Sequence, residues 1–147
     1  MTETEYDIVA SFTREIIRVN LAFKQYIQLK LRQNNIDLTF EMLSVLSCLW
    51  QQDGINQQEV ANLTVKDKAS MTYLLDNLTK RELVYRQEDA DDRRNKHVFL
   101  TEKGKQLRKQ IQPWVTEMFS LVGNNLPVNS VTGVTKTLEK IRENLRQ

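Results

Sequence analysis

The stretch Glu88-Asp-Ala-Asp-Asp-Arg-Arg-Asn-Lys-His-Val-Phe-Leu-Thr-Glu-Lys-Gly104 decides the fold. Its charged half, residues 88–95, separates two segments that alternate apolar and polar side chains. These are Leu83-Val84-Tyr85-Arg86-Gln87 and Lys96-His97-Val98-Phe99-Leu100. A period of two marks a half-buried strand. The spacer is too long for a two-residue hairpin turn, so two strands joined by a projecting charged loop are expected. Thr101 then stands where a helix cap belongs.

Working back from the strands, residues 67–81 place Met71, Leu74, Leu75 and Leu78 at i, i+3, i+4 and i+7, one buried helix face. Asp67 suits its N-terminus. The outward face then offers Lys68, Ser70, Thr72, Tyr73, Asp76, Asn77 and Lys80. A shorter helix, 57–63, precedes it. Asn56 is its expected N-cap, Glu59 should reach back to form a capping box, and Val60, Ala61 and Leu63 should be buried. Asp53-Gly54 makes the turn before it. Thr39 caps residues 40–51, whose Phe40, Met42, Leu43, Val45, Leu46, Cys48, Leu49 and Trp50 are apolar nearly all round, as in a buried helix.

The flanks are long helices. From 6 to 32, Ile8, Phe12, Ile16, Val19, Phe23, Ile27 and Leu31 form one stripe. The helix would be about 40 Å long, longer than a small core, so part of the stripe should meet another chain. After Thr101 come Leu107, Ile111, Trp114, Val115, Met118, Leu121 and Val122, with Pro113 expected to kink or split the helix. Val131, Val134, Leu138, Ile141 and Leu145 repeat at spacings of 3, 4, 3 and 4, a seam for another helix.

Composition excludes several classes. Four Gly and two Pro among 147 residues are too few for a turn-rich sandwich or barrel, so the expected class is mainly α (α+β). No apolar run is long enough for a membrane span. The acidic start Met1-Thr-Glu-Thr-Glu-Tyr-Asp is unlike a secretory signal, and one Cys cannot form an internal disulfide. A cytoplasmic location is therefore expected. Net charge is −2 over 1–53, +3 over 54–109 and +1 over 110–147. That bias is too weak to argue nucleic-acid binding, which rests on pattern instead. One His and one Cys cannot build a tetrahedral metal site without several carboxylates. With no nucleophile elbow and no Gly-rich phosphate loop, neither an enzyme nor a cofactor is expected.

Two short helices followed by a charged β-hairpin form a winged helix-turn-helix. In that fold one helix enters the major groove of double-stranded DNA and an Arg-tipped loop reaches the minor groove or the phosphates. Leu38-Thr39, the helix pair, Leu83-Val84-x-Arg86, and Asp92-x-Arg94 followed by Val98-x-Leu100-Thr101-x-x-Gly104 resemble the MarR family of bacterial transcriptional regulators. The motifs cover 38–108; the flanking helices match in length and periodicity only. The resemblance implies a homodimer on a pseudo-palindromic operator, usually a repressor, often released by a small amphipathic or aromatic effector. Residues 1–36 and 110–147 would form the dimerisation layer and 37–109 the DNA-binding lobe.

Within that reading Arg94 enters the minor groove, where narrow geometry attracts guanidinium, and Asp92 holds the loop and orients that guanidinium. Arg93, Lys96, Lys66 and Lys68 suit phosphates. Ser70, Thr72, Tyr73 and Asn77 suit base edges or thymine methyls. Two departures stand out. Glu82 occupies a position where the family usually has Gly, which implies a left-handed backbone costing about 1 kcal/mol. Tyr73 replaces what is often a basic residue. Phe23, Tyr26, Met42, Trp50 and Trp114 are candidates for an effector pocket, although helically spaced aromatics are more often plain core. Cys48 reads as a small buried hydrophobe. The alternative reading is a winged-helix protein-interaction module without specific DNA binding.

Overall fold

In the computed structural model, which describes residues 1–146, Thr2 starts the first helix with a reciprocal cap. Its hydroxyl accepts the Glu5 amide while Glu5 accepts the Thr2 amide, a capping box that begins the helix ahead of the apolar stripe. The elements that follow are α1 Glu3–Gln33, α2 Phe40–Gln51, β1 Ile55–Asn56, α3 Gln57–Leu63, α4 Lys68–Lys80, β2 Val84–Glu88, β3 Lys96–Leu100, α5 Glu102–Gly123 and α6 Val128–Asn144. Two units emerge, Met1–Trp114 and Val115–Gln147.

In the first unit α2 lies at the centre, as its all-round apolar surface requires. Met42, Leu43, Val45, Leu46 and Leu49 are buried, while Phe40, Cys48 and Trp50 are half-buried. Leu31 of α1, Val60 of α3, Leu75 and Leu78 of α4, Val98 of β3 and Ile111 of α5 complete the core. Burying each of these side chains is worth about 1.5–3 kcal/mol. The α1 stripe is buried only toward its C-terminal end. Ile27 and Leu31 are buried, Ile16 and Phe23 half-buried, and Ile8, Phe12 and Val19 exposed.

The three strands run in the order β1-β3-β2, all antiparallel. Strand β1 escaped the sequence reading because two residues carry no periodicity. Tertiary bonds hold it: Gly54 donates to the Val98 carbonyl at 3.0 Å, and the Leu100 amide donates to the Asp53 carboxylate at 2.8 Å. Gly54 has φ +72, a backbone that glycine adopts without strain.

Three further expectations need correction. Leu63 is 59% exposed rather than buried, because α3 ends there and the chain turns away at Thr64. Asn56 caps α3 through a single bond from the Gln58 amide at 2.7 Å, not through a reciprocal pair with Glu59. Pro113 does not split α5, since a proline removes only the one bond its missing N–H would make. In the second unit, α6 starts after Pro127 and leaves Val131, Val134 and Leu138 exposed, with Ile141 half-buried.

Candidate nucleic-acid interface

Helix α4 is held at both ends. Its N-cap Asp67 accepts the Ser70 amide at 2.7 Å, and that amide keeps the carboxyl below its ordinary pKa. At the other end Arg81 donates to the Asp37 carbonyl and carboxylate at 2.8 and 2.9 Å. Between α3 and α4 the turn closes with Lys66 bonding back to Ala61 and Val65 to Asn62. This places Val65 at φ +54, rare for a β-branched residue. Lys68, Thr72 and Tyr73 of α4 are exposed, while Ser70 and the preceding Lys66 are half-buried. Asn77 is engaged elsewhere: its amide donates to the Tyr73 carbonyl and its oxygen accepts from Arg81. Thr72 returns its hydroxyl to the Lys68 carbonyl, a usual resting bond for Thr in a helix.

The base of the wing explains the Leu-Thr-x-x-Gly pattern. The Thr101 hydroxyl donates to the Glu82 carbonyl at 2.6 Å and accepts the Gly104 amide at 3.0 Å. A Cβ on Gly104 would collide with the Leu83 carbonyl oxygen, so the motif glycine allows α5 to lie against the start of the wing. Glu82 has φ +58, the left-handed backbone expected of it. Beyond, Tyr85 and Phe99 stack across β2 and β3 with centroids 5.4 Å apart.

The loop between the strands is ordered by its own carboxylates. Asp92 accepts the Arg94 amide at 2.9 Å, so it positions Arg94 through the backbone, where the sequence had suggested the guanidinium. Asp89 accepts the Asp91 amide and the Asn95 side-chain amide, and its own N–H bonds the Asn95 carbonyl. Arg93, Arg94 and Lys96 are exposed.

A groove of about 510 Å³ brings the wing and α4 together. It is lined by Lys68 and Thr72 of α4, by Arg86, Arg93, Arg94 and Lys96 of the wing, and by Asn56, Gln57 and Gln58 at the start of α3. Five cations on a single concave surface are what an anionic backbone requires. Lys66, Ser70 and Tyr73 instead border a second groove on another side of α4, with Thr39, Glu41 and Met42.

Two residues of the first groove escaped sequence reasoning. Arg86 forms a 2.5 Å ion pair with Asp76 and so ties β2 to α4. The Asp76 carboxylate, which DNA phosphates would otherwise repel, therefore has its charge matched within the protein. An Arg ten residues beyond an outward Asp was the available signal. Gln57 approaches the Thr72 hydroxyl at 3.5 Å, and nothing in the sequence marked it.

Of the five effector-pocket candidates, Met42 borders the second groove. Trp50 donates its indole N–H to the Gly104 carbonyl at 2.9 Å, a structural tie between α2 and α5. Phe23, Tyr26 and Trp114 are half-buried. Cys48 is half-buried, and desolvation, followed by the nearby Glu59, pushes its thiol pKa up, which disfavours the reactive thiolate.

Comparison with known proteins places this geometry. The MarR family model matches residues 38–96. The regulator TtmR of Methylorubrum extorquens is 33% identical over 72 residues, 49% of this chain and 37% of its own. SarZ of Staphylococcus aureus is 27% identical over 84 residues, 57% of each chain. The present chain thus spans between about a third and just over half the length of these curated relatives. Among solved structures, S. aureus MepR in complex with DNA superposes with a TM-score of 0.82 at 28% identity, over 91% of this chain and 98% of that one. A MarR regulator from Methanosarcina mazei Go1 gives 0.78 at 27% identity, over 92% and 96%. The helix pair and the wing loop fall within the matched segment, with the Thr101–Gly104 lock just beyond it, and the chain shares the winged helix-turn-helix fold of the MarR regulators on which it superposes.

Proposed function

We propose that this protein is a homodimeric, sequence-specific regulator of transcription that binds double-stranded DNA, acting as a repressor. The observation that carries the reading is the groove in which Lys68, Arg86, Arg93, Arg94 and Lys96 converge from α4 and the wing. Lysines and arginines there would neutralise phosphates. Lys66 would meet a phosphate at the groove edge, Ser70, Thr72 and Tyr73 the major groove, and Arg94 the minor groove. Relatives named as transcriptional regulators and a neighbour solved with DNA support the same reading.

A second copy of the chain is the proposed partner for the flanking helices, 1–36 and 110–147. In support, Tyr6, Ile8, Val9, Phe12, Ile17 and Val19 on α1, and Val131, Val134 and Leu138 on α6, stay exposed in the single chain. Apolar surface of that extent calls for a partner. In a two-fold dimer the α4 helices would read half-sites about 34 Å apart. Release by a small amphipathic or aromatic effector belongs to this proposal and is supported by the family resemblance alone.

The test is selection of genomic fragments by the purified protein at two salt concentrations. A pseudo-palindrome with half-sites one helical turn apart, lost as salt rises, is the expected result. A folded dimer that enriches nothing at low salt would overturn the reading in favour of a protein-interaction module.

A further inference from the structure

His97 is the only histidine in the chain, and it stands between the turn before β1 and the base of the wing. Its Nδ1 lies 3.0 Å from the Gly54 carbonyl oxygen. A carbonyl can only accept, so Nδ1 carries the proton in the neutral ring. That leaves Nε2 as a bare lone pair, and it faces the Asp89 carboxylate at 4.0 Å. In the neutral state two acceptors therefore confront one another across this gap. When Nε2 gains a proton, the same pair becomes an ion pair, and closing the gap by about 1 Å would make it a charge-assisted hydrogen bond.

Asp89 is the post on which the wing loop is built. One of its oxygens takes the Asp91 amide, the other takes the Asn95 side chain, and its N–H bonds the Asn95 carbonyl. Arg93 and Arg94 lie inside that closed loop. Gln87 on β2 and Asn56 on β1 stand opposite His97 in register, and Glu88 joins Asp89 in lining the small cavity beside the ring. The neighbouring Lys96 points to the other face of β3, as successive strand residues do.

We infer that His97 is a positioning residue for the wing: its protonation latches the 89–95 loop through Asp89 and so strengthens the hold of Arg93 and Arg94 on DNA. The consequence for DNA rests on the function proposed above; the latch itself does not. Histidine is the side chain whose ordinary charge change falls between about pH 5 and 8. With only one in the chain, a pH response in this window that is lost in His97→Gln can be assigned to it.

The experiment uses the isotopically labelled full chain without DNA, followed by NMR from about pH 5.5 to about pH 8.5, across the imidazole range. The Asp91, Arg94 and Asn95 amides are expected to trace the same curve as the His97 ring. In Asp89→Asn the ring should still titrate while the loop stays flat; in His97→Gln the loop should not respond. Loop amides that ignore the ring in wild type, or that follow it in Asp89→Asn, would overturn the latch. A parallel anisotropy titration on a selected fragment should show Kd tightening roughly two- to fivefold at the acid end, the worth of one half-exposed ion pair, and no change in His97→Gln. A responding loop with a pH-independent Kd would leave the latch standing and refute the wing's part in DNA binding.

Discussion

Replacing Val65 by glycine should stabilise this protein. Val65 sits at φ +54 with 88% of its surface exposed, so its side chain contributes almost no burial to offset the strain. A left-handed backbone costs an L-residue roughly 1–2 kcal/mol, and a β-branched side chain belongs at the upper end because two γ substituents crowd the backbone. Glycine removes the strain but adds about 0.5–1 kcal/mol through the freedom of the unfolded chain. The net gain is about 1 kcal/mol, a Tm rise of about 4 °C for a chain of this size. Glu82 provides the comparison. It too is exposed and left-handed, at φ +58, but is unbranched at Cβ, so Glu82→Gly should come out near zero. Val65→Thr keeps the branch and should gain nothing. Thermal unfolding at one fixed protein concentration is the assay, because the Tm of an associating protein depends on concentration. If Val65→Gly lowers Tm, or gains no more than Glu82→Gly, the assignment of strain to the helix-turn-helix turn is wrong.

Arg94→Ala is expected to weaken binding to a selected fragment by about 1–3 kcal/mol with Tm unchanged, since the side chain is exposed; wild-type affinity in an anisotropy titration would remove Arg94 from the interface. Gly104→Ala should destabilise by about 1–3 kcal/mol as its Cβ meets the Leu83 carbonyl, and urea midpoints will show it. Asp67→Ala should lower Tm by uncapping α4. Because the folded carboxyl has a depressed pKa, its contribution is present above the unfolded carboxylate pKa and is lost as pH falls through the folded one. The Tm gap between wild type and variant should therefore close in acid, and a gap that persists there would contradict the cap.

Local periodicity was enough to read much of this fold. Met71, Leu74, Leu75 and Leu78 are buried together as their spacing required, and the alternation in 96–100 became β3. Leu63 and β1 were misread or missed for a common reason. Near the end of a helix, or in a two-residue strand, the pattern is too short to assign a face, and the turn at Thr64 and the bonds from Asp53 and Gly54 decide instead. Within the candidate site Lys68, Thr72, Arg93, Arg94 and Lys96 were readable as outward cations and hydroxyls on a helix, a loop and the start of a strand, and they do share a groove. Arg86 and Gln57 were not.

By itself the sequence determined the element types, the α2 core and the charged wing, because hydrophobic period and capping residues act over a few residues of chain. Only the tertiary structure decided which polar groups meet. Arg86 pairs with Asp76 across ten residues and His97 reaches Gly54 across 43. Such partners are fixed by how α4 and the sheet pack, and packing distances are not written in the order of residues. The physical reason is that periodicity specifies a face, whereas a hydrogen bond or ion pair depends on ångström-scale separation between faces.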